Sequence, residues 1–159
     1  MGSGKTTLGK KLELELKIPF IDSDAEIEKI SGKSIAEIFA QDGEEAFRKL
    51  ETEFIAGMQA ESSFVLSTGG GMPCFNNNID HLNHLGLTIY LKNSSENLAD
   101  RLIEAKNERP LIHGKSKEEL IEFIEINIQR REEYYNQAKL ILQPDQQGIV
   151  NVYKLVHSF

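Results

Sequence analysis

Near its start the chain reads Gly2-Ser3-Gly4-Lys5-Thr6-Thr7, a run whose residue types suit the gripping of phosphate. Successive backbone N–H groups can wrap a phosphate only where no side chain intrudes, which requires glycine. The next lysine reaches the outer phosphates, the hydroxyl after it binds Mg²⁺, and a following helix offers its positive end. Gly2, Gly4, Lys5 and Thr6 supply these parts ahead of a helix from Thr6. A flexible Gly-Ser linker is the plain alternative. The direct passage of Gly-Lys-Thr-Thr into a helical pattern speaks against it.

Three further groups of residues suit an acceptor site. Asp22 and Asp24 are separated by one residue, so on an extended chain both carboxylates point to one side. One would support a metal through water while the other takes a proton from an attacking hydroxyl, as phosphoryl transfer to an alcohol requires. Equally, one aspartate caps the next helix. Arg48 lies inside an amphipathic stretch, where spacing favours solvent or pairing with Glu44 or Glu51. Its functional reading is a bidentate fork for a carboxylate. Gly69-Gly70-Gly71 follows an apolar run, and three glycines in a row suit a close approach of backbone to ligand, or else a mobile loop.

Elsewhere the signals are weaker. Arg109-Pro110 sits in a polar loop between helices, a place for a closing lid with a cationic side chain. Of Arg130 and Arg131, only one can face a cleft, and a solvated face is the plain reading. Cys74 after Pro73 has no histidine beside it and reads as a small packed apolar residue.

The elements that must carry these residues alternate in kind. Helical patterns cover about 6–17, 24–30, a stretch from Ser34, 44–60, 78–85, 94–105, 116 to about 138, and 149–156. Ser34-x-x-Glu37 and Ser116-x-x-Glu119 have the form of capping boxes. Short apolar runs at 19–21, 64–68, 87–91 and 139–142 read as strands. Fully apolar strands separated by helices predict a parallel α/β sheet covered on both faces, with ligand beyond the strands' carboxyl ends. Asp22-Ser23-Asp24 and the three glycines both fall at such ends.

Composition narrows the class. With 159 residues there is room for a single domain, and a 40% apolar share is enough for one core. Lys plus Arg is 18 against Asp plus Glu 25, a formal net charge of −7. Such an acidic balance argues against nucleic-acid binding, which needs a dense positive footprint. No apolar run approaches the ~20 residues that span a bilayer. The single cysteine forms no internal disulfide, which points to a reducing cytoplasm. The four histidines lack zinc-site spacing.

Taken in order, these residues resemble the shikimate kinase family, small P-loop kinases of aromatic amino-acid biosynthesis. The match runs through Gly2–Thr7, Asp22 and Asp24, Ser34–Phe39, Asp42-Gly43-Glu44, Phe47-Arg48 with Glu51, Ser67–Gly71, Arg109-Pro110-Leu111, and Arg131 with Tyr135. It covers nearly the whole chain. The resemblance implies a three-layer P-loop kinase fold, a short parallel sheet flanked by helices, as one domain over 1–159. A lid over about 104–116 and a substrate-binding helical region over about 24–61 belong to it.

It also implies ATP-dependent phosphorylation of the 3-hydroxyl of shikimate, with Mg²⁺, in a cytoplasmic monomer. Gly2, Ser3, Gly4, Lys5, Thr6 and Thr7 would cradle ATP, with Thr6 and Asp22 on the metal. Asp24 would hold the acceptor hydroxyls and act as base. Arg48 and Arg131 would clamp the carboxylate, and the Gly70 backbone would touch the same ligand. Arg109 would reach the phosphates beside Lys5, Arg101 would lie against adenine, and Phe39 and Phe47 would wall the cleft.

Two departures accompany the match. The full pattern Gly-x-x-x-x-Gly-Lys-Thr places its first glycine two residues ahead of Met1, together with the central strand that feeds it. A chain beginning at Met1 is therefore expected to have a gap in its core, low stability and weak nucleotide affinity. The segment Gln143–Gly148 also departs from the family's adenine-side loop. Alternatives are a gluconate-type or nucleoside-monophosphate-type kinase, or a truncated chain that binds shikimate without turnover. The first two should lack the joint Asp-x-Asp, Phe-Arg and Gly-Gly-Gly set.

Overall fold

A computed structural model describes residues 2–59, 63–104 and 115–159. The proposed lid, Arg109 included, lies outside the described residues, apart from its edges. Helix α1 (Lys5–Leu16) opens directly after Gly4 and leads to strand β1 (Phe20–Asp22). Next come α2 (Ser23–Ser31), α3 (Ile35–Gln41) and α4 (Gly43–Ala56), followed by β2 (Val65–Ser67). The second half holds α5 (Asn78–Leu85), β3 (Ile89–Leu91), α6 (Ser95–Glu104), α7 (Lys117–Tyr135), β4 (Leu140–Leu142) and α8 (Ile149–His157).

Both capping boxes form as the sequence predicts. Ser34 accepts from the Glu37 backbone while Glu37 returns a bond to Ser34, and Ser116 and Glu119 repeat the arrangement at α7. Two helices are shorter than expected. The helix expected over 44–60 ends at Ala56, where the Gly57 N–H closes onto Glu53. Its buried face is Phe47, Glu51 and Ile55, three residues on the i, i+4, i+8 row. The helix from Ser116 stops at Tyr135 instead of about Ala138. Two 3₁₀ turns, at Met72–Cys74 and Pro144–Gln146, carry Pro73 and Pro144 in their first two positions, and the periodicity announces neither.

All strand pairing among the described residues is parallel. β1 pairs with β2 in the register Phe20–Val65, Ile21–Leu66, Asp22–Ser67. β3 pairs with β4 in the register Ile89–Leu140, Tyr90–Ile141, Leu91–Leu142. The two pairs do not join. Between them lies a cavity of about 690 Å³, lined by residues of β2 and β3 together with α1, α5 and α7. The gap expected in the core is thus present. Most of the strand residues are only half-buried, as strands bordering a gap in the plane of the sheet would be.

The core is divided accordingly. Ile27, Ile38, Phe47, Ile55, Met72 and Leu82 form one cluster under the α2–α4 region. Leu98, Ala99, Leu102, Leu120 and Ile124 join α6 to α7, and Leu12, Leu142 and Val152 join α1 to β4 and α8. Each fully buried aliphatic or aromatic side chain contributes about 1.5–3 kcal/mol. That burial holds each cluster together, while the cavity separates them. The three clusters leave the carboxyl ends of β1 and β2 beside the start of α1.

Candidate active site

Gly4 adopts φ 86°, a left-handed conformation that side-chain-bearing residues rarely accept, and the chain enters α1 from it. No side chain caps this helix. The first N–H groups of α1 therefore lack intrahelical partners and face outward, the arrangement that receives an anion. Arg101 on α6 donates from Nη1 to the Ser3 carbonyl at 3.2 Å, fixing the loop from the side. Ser3 and Lys5 both reach the rim of the cavity.

Thr6 and Asp22 meet across this loop, with Thr6 Oγ1 3.5 Å from Asp22 Oδ2. The other oxygen, Oδ1, accepts from the Asp24 backbone N–H at 3.1 Å and caps α2. Here the sequence expectation needs correction. The chain turns helical at Ser23, so Asp22 and Asp24 are not alternate residues of one extended segment. Asp22 does both jobs that had stood as alternatives, capping a helix while facing Thr6. Two hard oxygen donors beside an uncapped helix end fit Mg²⁺, which takes few protein ligands and completes its shell with phosphate and water. Among the described residues no cluster of three or more His, Cys, Asp or Glu offers a denser metal site.

Asp24 sits in the first turn of α2, with its carboxylate against the glycine loop. A Cβ placed on Gly69 would fall 2.5 Å from Asp24 Oδ1 and 3.3 Å from Glu51 Oε1. The absence of a side chain at Gly69 is what lets both carboxylates approach. Burial first, and then the Asp22 charge, raise the Asp24 pKa above the usual 3.8, against a lowering pull from Lys5. A carboxylate made more basic in this way suits proton abstraction from an alcohol.

Arg48 lies on the opposite side of the loop. Its Nη1 bonds Glu51 Oε2 at 2.8 Å, and its Nη2 and Nε bond Glu44 Oε1 at 2.8 and 3.2 Å. The guanidinium also rests on the Phe75 ring, 4.1 Å from its centroid. Burial works against this charge, but the bonds that Arg48 donates to Glu51 and Glu44, with their negative charges, outweigh it and raise the pKa. Pairing with both acids, the plain reading of the sequence, is realised. The remaining N–H groups of the fork are left for a further anion. Phe39 packs on Phe47 with centroids 4.9 Å apart, forming an apolar edge beside Arg48.

Arg131 on α7 completes the ring. Its Nη1 lies 3.3 Å from where a Cβ on Gly70 would sit, and it makes no ion pair among the described residues. Arg130 is exposed, so Arg131 is the one of the two that faces the cleft. Cys74 is raised in pKa by burial, in keeping with a packed thiol and not a nucleophile.

Three participants have contacts that the sequence reading leaves unassigned. Ser23 is fully buried and its hydroxyl accepts from the Gly69 N–H at 2.9 Å, tying the start of α2 to the glycine loop. Glu51 is also fully buried, with Oε1 lacking any hydrogen-bond partner among the described residues. Burial raises its pKa, opposed by Arg48. The Tyr135 hydroxyl donates to the Gly70 carbonyl at 2.6 Å. Only Glu51 carried a signal, its i+3 spacing from Arg48.

Comparison with known proteins agrees with this geometry. A family model described as Shikimate kinase matches residues 1–157. The shikimate kinase of Bacteroides fragilis is 43% identical over 145 residues, covering 91% of this chain and 81% of that protein. The shikimate kinase of Azobacteroides pseudotrichonymphae is 46% identical over 142 residues, covering 89% and 84%. Among solved structures, shikimate kinase from Bacteroides thetaiotaomicron superposes with a TM-score of 0.87 at 39% identity, covering 99% of this chain and 90% of that one. The Acinetobacter baumannii enzyme, solved in complex with shikimate, gives 0.82 at 32% identity, covering 99% and 89%. A family model matched over residues 1–157, with relatives at 43% and 46% identity across most of both chains, places this chain in the shikimate kinase family.

Proposed function

We propose that this chain transfers the terminal phosphoryl group of ATP to the 3-hydroxyl of shikimate, forming shikimate 3-phosphate and ADP. The observation that carries this reading is the convergence of Asp24, Arg48 and Arg131 on the one Gly69–Gly71 loop. A polyol acid matches that set, since its carboxylate meets the guanidinium groups while its hydroxyls meet Asp24.

In the transfer a bond forms between the acceptor oxygen and phosphorus. The bond from phosphorus to the bridging oxygen of ADP breaks. Asp24 takes the proton of the attacking hydroxyl, while Lys5 and the N–H groups at the start of α1 hold the transferring phosphoryl charge. Mg²⁺, held by Thr6 and Asp22, would neutralise charge on the phosphates. Arg109 would add a second positive group from the lid, as the family resemblance implies. The net charge of −7 over the whole chain does not prevent the binding of two anions here, because Lys5, Arg48 and Arg131 supply positive charge locally.

The test is ADP release from ATP and Mg²⁺ with a panel of acceptors: shikimate, gluconate and nucleoside monophosphates. Shikimate-dependent turnover with the others silent supports the assignment. Turnover of gluconate or a nucleotide in preference to shikimate rejects it.

A further inference from the structure

Tyr135 stands one helical turn beyond Arg131 on α7, and both side chains reach the same glycine. A Cβ on Gly70 would fall 3.3 Å from Arg131 Nη1 and 3.5 Å from Tyr135 Oη. The two side chains thus meet the loop at one point, from adjacent turns of α7.

The bond from Tyr135 Oη to the Gly70 carbonyl, at 2.6 Å, acts on the peptide that joins Gly70 to Gly71. That peptide is trans, so fixing its carbonyl toward α7 aims the Gly71 N–H the opposite way. Among the described residues neither the Gly70 nor the Gly71 N–H donates to any partner. By contrast, the Gly69 N–H is taken by Ser23. Two adjacent donors thus stand unused in a loop whose residues have the greatest conformational freedom of any. The Tyr135 ring is itself held, packed against Tyr90 of β3 with centroids 5.0 Å apart. Burial raises the pKa of Tyr135, so its hydroxyl stays protonated and remains a donor at neutral pH.

We propose that Tyr135 is a positioning residue, whose hydroxyl pins the Gly70–Gly71 peptide so that the unused Gly71 N–H is held ready for the acceptor's carboxylate, alongside the charge of Arg131. This rests on the reading of the acceptor as a carboxylate-bearing polyol. Pinning three glycines before the ligand arrives removes an ordering cost that binding would otherwise carry. Tyr135 touches neither reacting oxygen nor phosphate in this scheme, so its effect falls on acceptor affinity and not on the chemical step.

Tyr135→Phe keeps the ring on Tyr90 and removes only the hydroxyl. The expected result is a KM for shikimate raised about tenfold, with kcat and the KM for ATP within about twofold of the parent. The thermal melting point should stay close to the parent's, and the penalty should vanish with the shikimate methyl ester, which has no carboxylate charge to meet the loop. An unchanged KM for shikimate overturns the proposal. So does a parallel rise in both KM values, or an equal penalty with the ester. Calorimetric binding of shikimate to both proteins reads the same difference without turnover. An inactive parent that still binds shikimate more tightly than Tyr135→Phe would reject the kinase reading while supporting this one.

Discussion

Gly71 lies so close beneath Arg48 that a Cβ there would sit 2.5 Å from Nη1 and 2.9 Å from Cζ. The guanidinium cannot retreat, because Glu44 and Glu51 hold its other edges and the Phe75 ring lies against it. Gly71→Ala should therefore displace the guanidinium instead of being absorbed. The expected outcome is an acceptor KM raised by tenfold or more, an unchanged KM for ATP, and about 1–3 kcal/mol of lost stability from overpacking. Steady-state kinetics and a urea melt read both. A variant with parental acceptor affinity would show that Arg48 does not need its present position.

How far the sequence foretold this site depends on the kind of signal. Helix periodicity and the Ser-x-x-Glu boxes are local, and α3, α5 and α7 begin where their residues say. The phosphate loop is contiguous, so it too was legible. The relation of Asp22 to Asp24 was not, because a two-residue alternation assumes extended chain and Asp22 caps a helix one residue later. Ser23 and Tyr135 make their key bonds to residues 46 and 65 positions away, and no spacing rule reaches that far.

The two carboxylates that hold Arg48 differ in burial, and that difference decides their worth. Glu44 is 57% exposed, while Glu51 is 1% exposed beside an Arg48 that is itself 11% exposed. Glu44→Ala should cost under about 1 kcal/mol, as surface ion pairs do. Glu51→Ala breaks a buried pair and should cost about 3–5 kcal/mol. Denaturant unfolding of the two variants checks the contrast, and equal losses would contradict it.

Asp24 should show opposite effects on activity and stability. Its pKa is raised, by burial first and by Asp22 next, so folding favours the protonated form. The stability associated with that proton is fully present below the unfolded value near 3.8 and is lost as the pH rises through the folded value. At neutral pH the ionised carboxylate is thus a cost to the fold. Asp24→Asn should lower kcat by about 10²–10⁴-fold and yet melt at a higher temperature than the parent at pH 7. The melting difference should shrink as the pH falls through the raised folded value, where the parent carboxyl becomes neutral. A variant that melts lower at pH 7, or that keeps full activity, would count against this account of Asp24.

The cavity between β2 and β3 has the form of a place for a strand. Both flanking strands are parallel, and each has a partner on its outer edge only. Val65, Leu66, Ile89 and Leu91 line the space, and Leu8 and Leu12 of α1 line it too, so an extended apolar segment would find backbone partners on two sides and apolar contacts above and below. A parallel strand in that slot would end beside Gly2 and feed the phosphate loop, with α1 as the crossover to β1. A version of the protein carrying about eight further residues ahead of Gly2, an apolar run ending in Gly-x, should bring the three core clusters into one. Its melting temperature and ATP affinity should both rise, and amides of β2 and β3 should exchange hydrogen more slowly. Equal melting, equal ATP binding and unchanged exchange would mean that the cavity does not accept a strand.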